Sequence, residues 1–149
     1  MTRFEHSVLI RRPLEDVWDY VMDPRNNPVW QGFVVEVRRA DVPLRMASTV
    51  DEVVQFLGKR FDVTLEVTDH QPKRRSSIRT IAGPVPATGS YTFESVPGGT
   101  RFTVENEMNA HGVFKLAEAV FARLGRKQWA SSCEVLSELL EAGVPAGTP

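Results

Sequence analysis

Chemistry in this chain has to come from polar side chains that interrupt otherwise apolar faces. Four stand out: His6, Asn106, Gln128 and Ser132. A buried amide or hydroxyl without a partner costs about 1–3 kcal/mol, so each needs a backbone group, a water or a ligand. Pairing with backbone or water is the plainer outcome; the sharper one is that at least two of them orient a bound molecule. Histidine suits general-base work near neutral pH. The carboxylate next to His6 in sequence, Glu5, falls on the opposite face of an alternating strand, which favours a packed, structural imidazole. Glu52 lies in a segment, Ser48 to Leu57, whose alternation is mixed: Val50, Val54 and Phe56 share its face, while Val53 and Leu57 take the other. Facing inward, its carboxyl would be raised by desolvation and could act as acid or base; the outward placement is the preferred expectation. Tyr91 could offer its phenol to an enolate or carbonyl, although a core ring with a wet hydroxyl is simpler. The catalytic candidates are thus His6, Glu52 and Tyr91, none decisive. Cys133 has no base beside it and is not expected to be a nucleophile. His111 is expected in a loop, His70 in solvent, and Lys73-Arg74-Arg75 on a solvated turn.

Composition narrows the class. The chain has 149 residues, of which 42% are hydrophobic and 25% charged, with a net charge of −1. That suits one domain with a sizeable core and speaks against nucleic acid as the main partner. No apolar run is long enough to span a bilayer, and the N-terminus lacks the apolar stretch of a signal peptide. A single cysteine cannot form an internal disulfide, which fits a reducing cytoplasm. There is no metal-type Cys/His cluster, phosphate-binding glycine loop, GxSxG elbow or HExxH, so no metal or cofactor is expected.

The elements that must position these residues follow from periodicity. Arg3 to Ile10 alternates as a half-buried strand. Pro13 opens a short helix through Leu14, Val17, Trp18 and Val21, and Asp23-Pro24 begins a further helical turn ending at Trp30. Strands are expected at Phe33 to Arg39, Ser48 to Leu57, Phe61 to Asp69, Ser76 to Ala82, Thr88 to Val96 and Arg101 to Asn109. Turns separate them at Gly58-Lys59, Gln71-Pro72-Lys73 and Pro97-Gly98-Gly99. Gly112 to Glu141 reads as one helix of about 45 Å. Phe114, Ala117, Phe121, Leu124, Val135 and Leu139 form its apolar stripe, with Gln128 and Ser132 in the middle. Arg123, Lys127, Glu134 and Glu141 lie opposite, and Gly143 is a natural C-cap. Trp129 falls off the stripe's centre and is expected to cover a sheet edge or a subunit contact. Gly125 marks a bend or a close approach of a ligand or strand, the bend being the preferred expectation.

The expected fold is therefore α+β: a curved antiparallel sheet of six to seven strands wrapped around a long C-terminal helix, with two short helices after the first strand. Residues 1–143 form the domain and 144–149 a flexible tail. A single helix about 10–12 Å wide cannot cover so many strands. A cavity should remain between them, of roughly 300 Å³ or more if it takes a ligand.

The order of elements, with IRRPLEDVWDYVMDPRNNPVW, FLGKRFDVTLEVTDHQPKRR and GSYTFESVPGGTRFTVENEM, resembles the START/polyketide-cyclase superfamily (SRPBCC), whose fold is called helix-grip. The likeness covers essentially the whole chain. Ala47-Ser48-Thr49 departs from the Gly-Thr that many members carry. The resemblance implies a fold but no shared catalytic motif. It implies binding of a small hydrophobic molecule of lipid, polyketide or aromatic type. Its expected contacts are Trp30, Phe33, Phe56, Leu65, Tyr91, Phe93, Asn106, Phe121, Leu124 and Gln128. The alternatives are a cofactor-free cyclase or dehydratase using the same cavity, and a protein-interaction module of co-chaperone type with a filled core. The expected partner is the small molecule, with no nucleic acid and no membrane span; a homodimer stays open.

Overall fold

The computed structural model describes residues 2–109 and 118–143, leaving aside the side chains of residues 2, 118 and 121. Seven strands form one antiparallel sheet: β1 (Thr2–Ile10), β2 (Val34–Ala40), β3 (Thr49–Phe56), β4 (Lys59–Gln71), β5 (Arg75–Ala82), β6 (Ala87–Val96) and β7 (Gly99–Met108). Their order across the sheet is β1-β7-β6-β5-β4-β3-β2. Every neighbouring pair from β2 to β7 is consecutive in sequence, as hairpin connections require. β1 returns to pair with β7, from Thr2 opposite Met108 to Ile10 opposite Thr100. The sheet curls into a half-barrel against α3 (Glu118–Glu141). α1 (Leu14–Val21) and α2 (Asn27–Trp30), joined through a 3-10 turn at Pro24–Asn26, lie between β1 and β2.

Local chemistry explains these boundaries. β3 and β4 pair up to Phe56 opposite Lys59, leaving a two-residue loop in which Leu57 and Gly58 both have positive φ. That is the loop geometry whose twist matches a hairpin, and Gly58 takes it without steric cost. On the concave face Val50 opposes Leu65, Glu52 opposes Val63 and Val54 opposes Phe61. Asp23 caps the 3-10 turn by accepting from the Arg25 backbone N–H at 3.1 Å. The Arg25 side chain bonds back to it and holds its carboxyl below the usual carboxylate range. Asn26 then donates to the Tyr20 carbonyl at 2.9 Å, tying the turn to α1. Arg12 joins the other end: its guanidinium reaches Asp16 at 2.7 Å and donates to the Leu140 carbonyl near the C-terminus of α3. A cation suits that end of a helix.

The core runs under α3 and around the short helices. Ile10, Val17, Tyr20, Trp30, Phe102, Val104, Leu136 and Leu140 are fully enclosed. The buried stripe of α3 is not the one expected. It is Ala122, Gly125, Trp129, Ser132, Cys133, Leu136 and Leu140, while Leu124 and Leu139 are half-buried and Val135 is exposed. The shift is one residue along the chain, about 100° around the axis. It turns the indole of Trp129 inward, against Trp30, Phe33 and Tyr91, rather than toward a sheet edge. In this rotation the helix buries its indole in that aromatic cluster. Gly125 faces β1, where an added Cβ would stand 3.3 Å from the Phe4 ring, so close approach is its role. His70, expected in solvent, is half-buried beside Trp18, with ring centres 5.4 Å apart. Phe114, Ala117, His111, the expected helix start at 112–117 and the tail at 144–149 lie outside the described residues.

Candidate functional site

A cavity of about 210 Å³ lies between the concave face and α3. Its walls are apolar for the most part. Val50, Val54 and Phe56 come from β3, Phe61, Val63, Leu65 and Val67 from β4, and Ile78 from β5. Gly125 and Trp129 of α3 close it from above, with Phe33 at the end of the short helices. The volume is below the ~300 Å³ expected for a ligand pocket. It exceeds the ~150 Å³ of an engineered cavity that holds benzene. The reason is the inward turn of Trp129, whose ring takes up space that a smaller residue would leave.

The polar part of this wall is built by alternation and by one helical turn. Glu52 faces inward with Val50, Val54 and Phe56, and only 4% of it is exposed. The preferred outward placement is thus overturned. The outward positions of β3 pair Asp51 with Arg39 and Thr64, and a one-residue slip of β3 to expose Glu52 would bury the Asp51 carboxylate instead. Asn27 Nδ2 donates to Glu52 Oε1 at 3.1 Å. Burial pushes the Glu52 carboxyl up to about 7, and the Asn27 bond only partly offsets it. Four residues on, Gln31 Nε2 donates to the Tyr91 hydroxyl at 3.0 Å. The i, i+4 spacing puts both amides on one face of the turn through α2, so one short segment holds both the carboxyl and the phenol at the wall. Tyr91 is held strongly toward its neutral form, first by burial and then by the negative charge of Glu52. The arrangement supplies an acid–base group and a neutral phenol donor in one apolar chamber.

The other expected residues divide clearly. Phe33, Phe56, Leu65, Tyr91 and Asn106 line the cavity. Trp30 and Phe93 do not. They belong to the packed end, Trp30 against Phe102 and Trp129, and Phe93 against Trp18 and Phe102. Phe93 keeps the face expected of it, but Trp18 of α1 packs over it, and Trp30 is itself the last residue of α2. Leu124 and Gln128 stand off the wall because the helix is rotated. The side chain of Phe121 lies outside the described residues. His6 is half-buried on the face of Phe4 and Ile10 and away from the cavity. Ser132 takes the plain outcome, accepting from the Gly32 backbone N–H at 3.1 Å. Cys133 is fully enclosed, and burial pushes its thiol up to about 12.

Among the described residues, Trp30 Nε1, Asn106 Nδ2 and Gln128 Oε1 are buried without a protein partner. Asn106 is opposite Gly89 on β6, where an added Cβ would stand 2.8 Å from its Oδ1. Glycine there leaves room for the amide at the wall. Sequence reasoning missed Asn27 and Gln31 altogether. Their signal was the pair of amides four residues apart around Pro28 and Trp30.

Comparison with known proteins follows the same lines. The family described as "Polyketide cyclase / dehydrase and lipid transport" matches residues 1–137. No curated protein is significantly similar in sequence. Among solved structures, TTHA0849 from Thermus thermophilus superposes with a TM-score of 0.79 at 18% identity, over 95% of this chain and 99% of that one. The di-domain ARO/CYC StfQ of the steffimycin biosynthetic pathway gives 0.75 at 12% identity, over 96% of this chain and 52% of StfQ. DynU16, from the dynemicin biosynthetic locus, gives 0.69 at 21% identity, over 98% and 49%. At these identities the structures speak for the fold alone. No helix of the described residues is long and apolar enough to cross a membrane.

Proposed function

The chain belongs to the polyketide cyclase/dehydrase and lipid transport family, and from that premise we propose that it binds a small hydrophobic molecule in the chamber between the sheet and α3. The observation that carries this reading is the chamber itself: about 210 Å³, mostly apolar, with a few convergent polar groups. Phe33, Phe56 and Leu65 supply apolar contact, and Tyr91 and Asn106 supply hydrogen bonds. The co-chaperone alternative calls for a filled core, which such a chamber disfavours.

One observation favours the cyclase or dehydratase as a second reading. A carboxyl poised near neutrality beside a neutral phenol can remove a proton next to a carbonyl while the phenol supports the enolate oxygen. The two readings separate on Glu52→Gln and Tyr91→Phe. A carrier keeps its only function with modest loss of affinity, whereas an enzyme loses turnover with binding retained.

The binding reading is tested by isothermal titration with naphthalene. Saturable binding is expected, together with its loss in Leu65→Trp and in Val63→Phe, each of which fills the chamber. Unchanged binding in folded, filled variants would place the molecule elsewhere. Absence of binding to the native chain would remove the reading.

A further inference from the structure

The polar end of the chamber is specific about charge. Among the described residues no lysine, arginine or histidine lines the cavity, and the wall's one carboxyl is Glu52. A carboxylate or phosphate bound there would be an unpaired buried anion facing a second acid. Such a group is strongly disfavoured without a cation. The molecule that fits carries no negative charge, which excludes free fatty acids and phosphorylated lipids.

The hydrogen-bonding capacity is equally defined. Tyr91 accepts from Gln31 Nε2, so its own O–H remains available and has no acceptor among the described residues. Glu52 takes the Asn27 amide on Oε1, which leaves Oε2 without a partner among the described residues. The pair thus offers one donor and one acceptor. Glu52 and Tyr91 both line the chamber, and they are held by Asn27 and Gln31, amides one helical turn apart on the same short segment. A hydroxyl attached to a ring satisfies both at once: its oxygen accepts from Tyr91 and its hydrogen is donated to Glu52. The ring itself meets aromatic surface, since Phe33 stacks on Phe56 with centres 5.7 Å apart and meets Trp129 edge-on at 4.9 Å.

Volume sets the size. Scaling from benzene in a cavity of about 150 Å³, a chamber of about 210 Å³ holds a substituted single ring or a fused pair of rings. An extended multi-ring product does not fit.

We infer that this chain selects uncharged hydroxyaromatic molecules of one or two rings, phenols or the enol tautomers of cyclic ketones, with the hydroxyl between Glu52 and Tyr91. The inference rests on the reading of the chamber as a binding site and adds its specificity.

The test compares naphthalene, 2-naphthol and 2-naphthoate by isothermal titration at pH 8, where the Glu52 carboxyl is ionised and its Oε2 accepts, with the native chain, Tyr91→Phe and Glu52→Gln. 2-Naphthol should bind about tenfold more tightly than naphthalene, and 2-naphthoate at least tenfold more weakly than 2-naphthol. Each variant should bring 2-naphthol close to naphthalene while leaving naphthalene itself within about threefold. Circular dichroism establishes that each variant is folded, and Gln31→Leu, which removes the partner of Tyr91 and spares both ligand-facing groups, is a second route to the same loss of preference. Equal binding of naphthalene and 2-naphthol, or binding of 2-naphthoate as tight as 2-naphthol, would overturn the specificity and leave the binding site standing. Failure of all three probes to bind the native chain would overturn both.

Discussion

Replacing Glu52 with glutamine should stabilise the protein, and only above a definable pH. The Glu52 carboxyl is raised from 4.5 to about 7 in the folded chain, chiefly by burial. The difference is about 2.5 units, and at 1.36 kcal/mol per unit it corresponds to about 3 kcal/mol. The sign follows from proton counting. Below pH 4.5 the acid is protonated whether the chain is folded or not, and it contributes nothing to the slope. Between pH 4.5 and 7 the folded chain keeps a proton that the unfolded chain releases, so stability falls as pH rises. Above pH 7 the full cost of a buried carboxylate is present. Glutamine is close in shape to the protonated acid and still accepts from Asn27, so Glu52→Gln should be nearly neutral at pH 4.5 and more stable by up to about 3 kcal/mol at pH 8.5. At 2–4 °C per kcal/mol for a chain of this size, that is a gain of roughly 6–12 °C in Tm. Urea melts of both proteins at pH 4.5, 6, 7 and 8.5 read it directly, because groups common to both chains cancel. A difference that is the same at every pH would mean that Glu52 is solvated and ionised in the folded protein. A variant less stable than the native chain at pH 8.5 would mean that the carboxylate has a cationic partner, and the assignment of an acid–base group at the wall would fall with it.

Gly125→Val should cost about 1–3 kcal/mol in urea melts, because the added side chain meets the Phe4 ring, already 3.3 Å from a Cβ placed there; an increase in stability from better helix propensity would show that α3 can lift from β1. Tyr91→Phe leaves Gln31 Nε2 buried without an acceptor and should cost about 1–3 kcal/mol. Gln31→Leu together with Tyr91→Phe should recover part of that loss, and a double-mutant cycle with no coupling would show that the bond does not form in solution. Arg12→Ala removes the bonds to Asp16 and to the Leu140 carbonyl and should lower stability by about 1–2 kcal/mol, with faster amide exchange in the last turn of α3. Cys133 should react with an aromatic disulfide reagent only as fast as the chain unfolds, so rapid labelling of the native protein would contradict its enclosure.

The fold was legible because period and punctuation agree along the chain. Phe61, Val63, Leu65 and Val67 alternate in β4 as a pleated strand demands, and the turns at Gly58 and Gly98-Gly99 lie where the hairpins close. The likeness of the whole chain to the helix-grip superfamily added to that reading, and the match to the family over residues 1–137 accords with it. The site was legible only in part. Phe33, Phe56, Leu65, Tyr91 and Asn106 reach the cavity as expected, while Phe93 lies under α1 and Trp30, the last residue of α2, belongs to the packed end.

What the residues determined by themselves is local: which segments are strands, which side of each is apolar, and where the chain turns, because those depend on neighbours two to four positions away. Three matters were decided only by tertiary packing. The rotation of α3 depends on which large side chain the sheet can accommodate, and Trp129 prevailed over Leu124 and Val135. The inward placement of Glu52 depends on what its strand neighbours do on the other face, where Asp51 finds Arg39 and Thr64. The pairing of Asn27 with Glu52 and of Gln31 with Tyr91 joins residues 25 and 60 positions apart. The spacing of the two amides is visible in the sequence, but their partners are not, since these contacts arise only where a curved sheet brings a short helical turn against its own concave face.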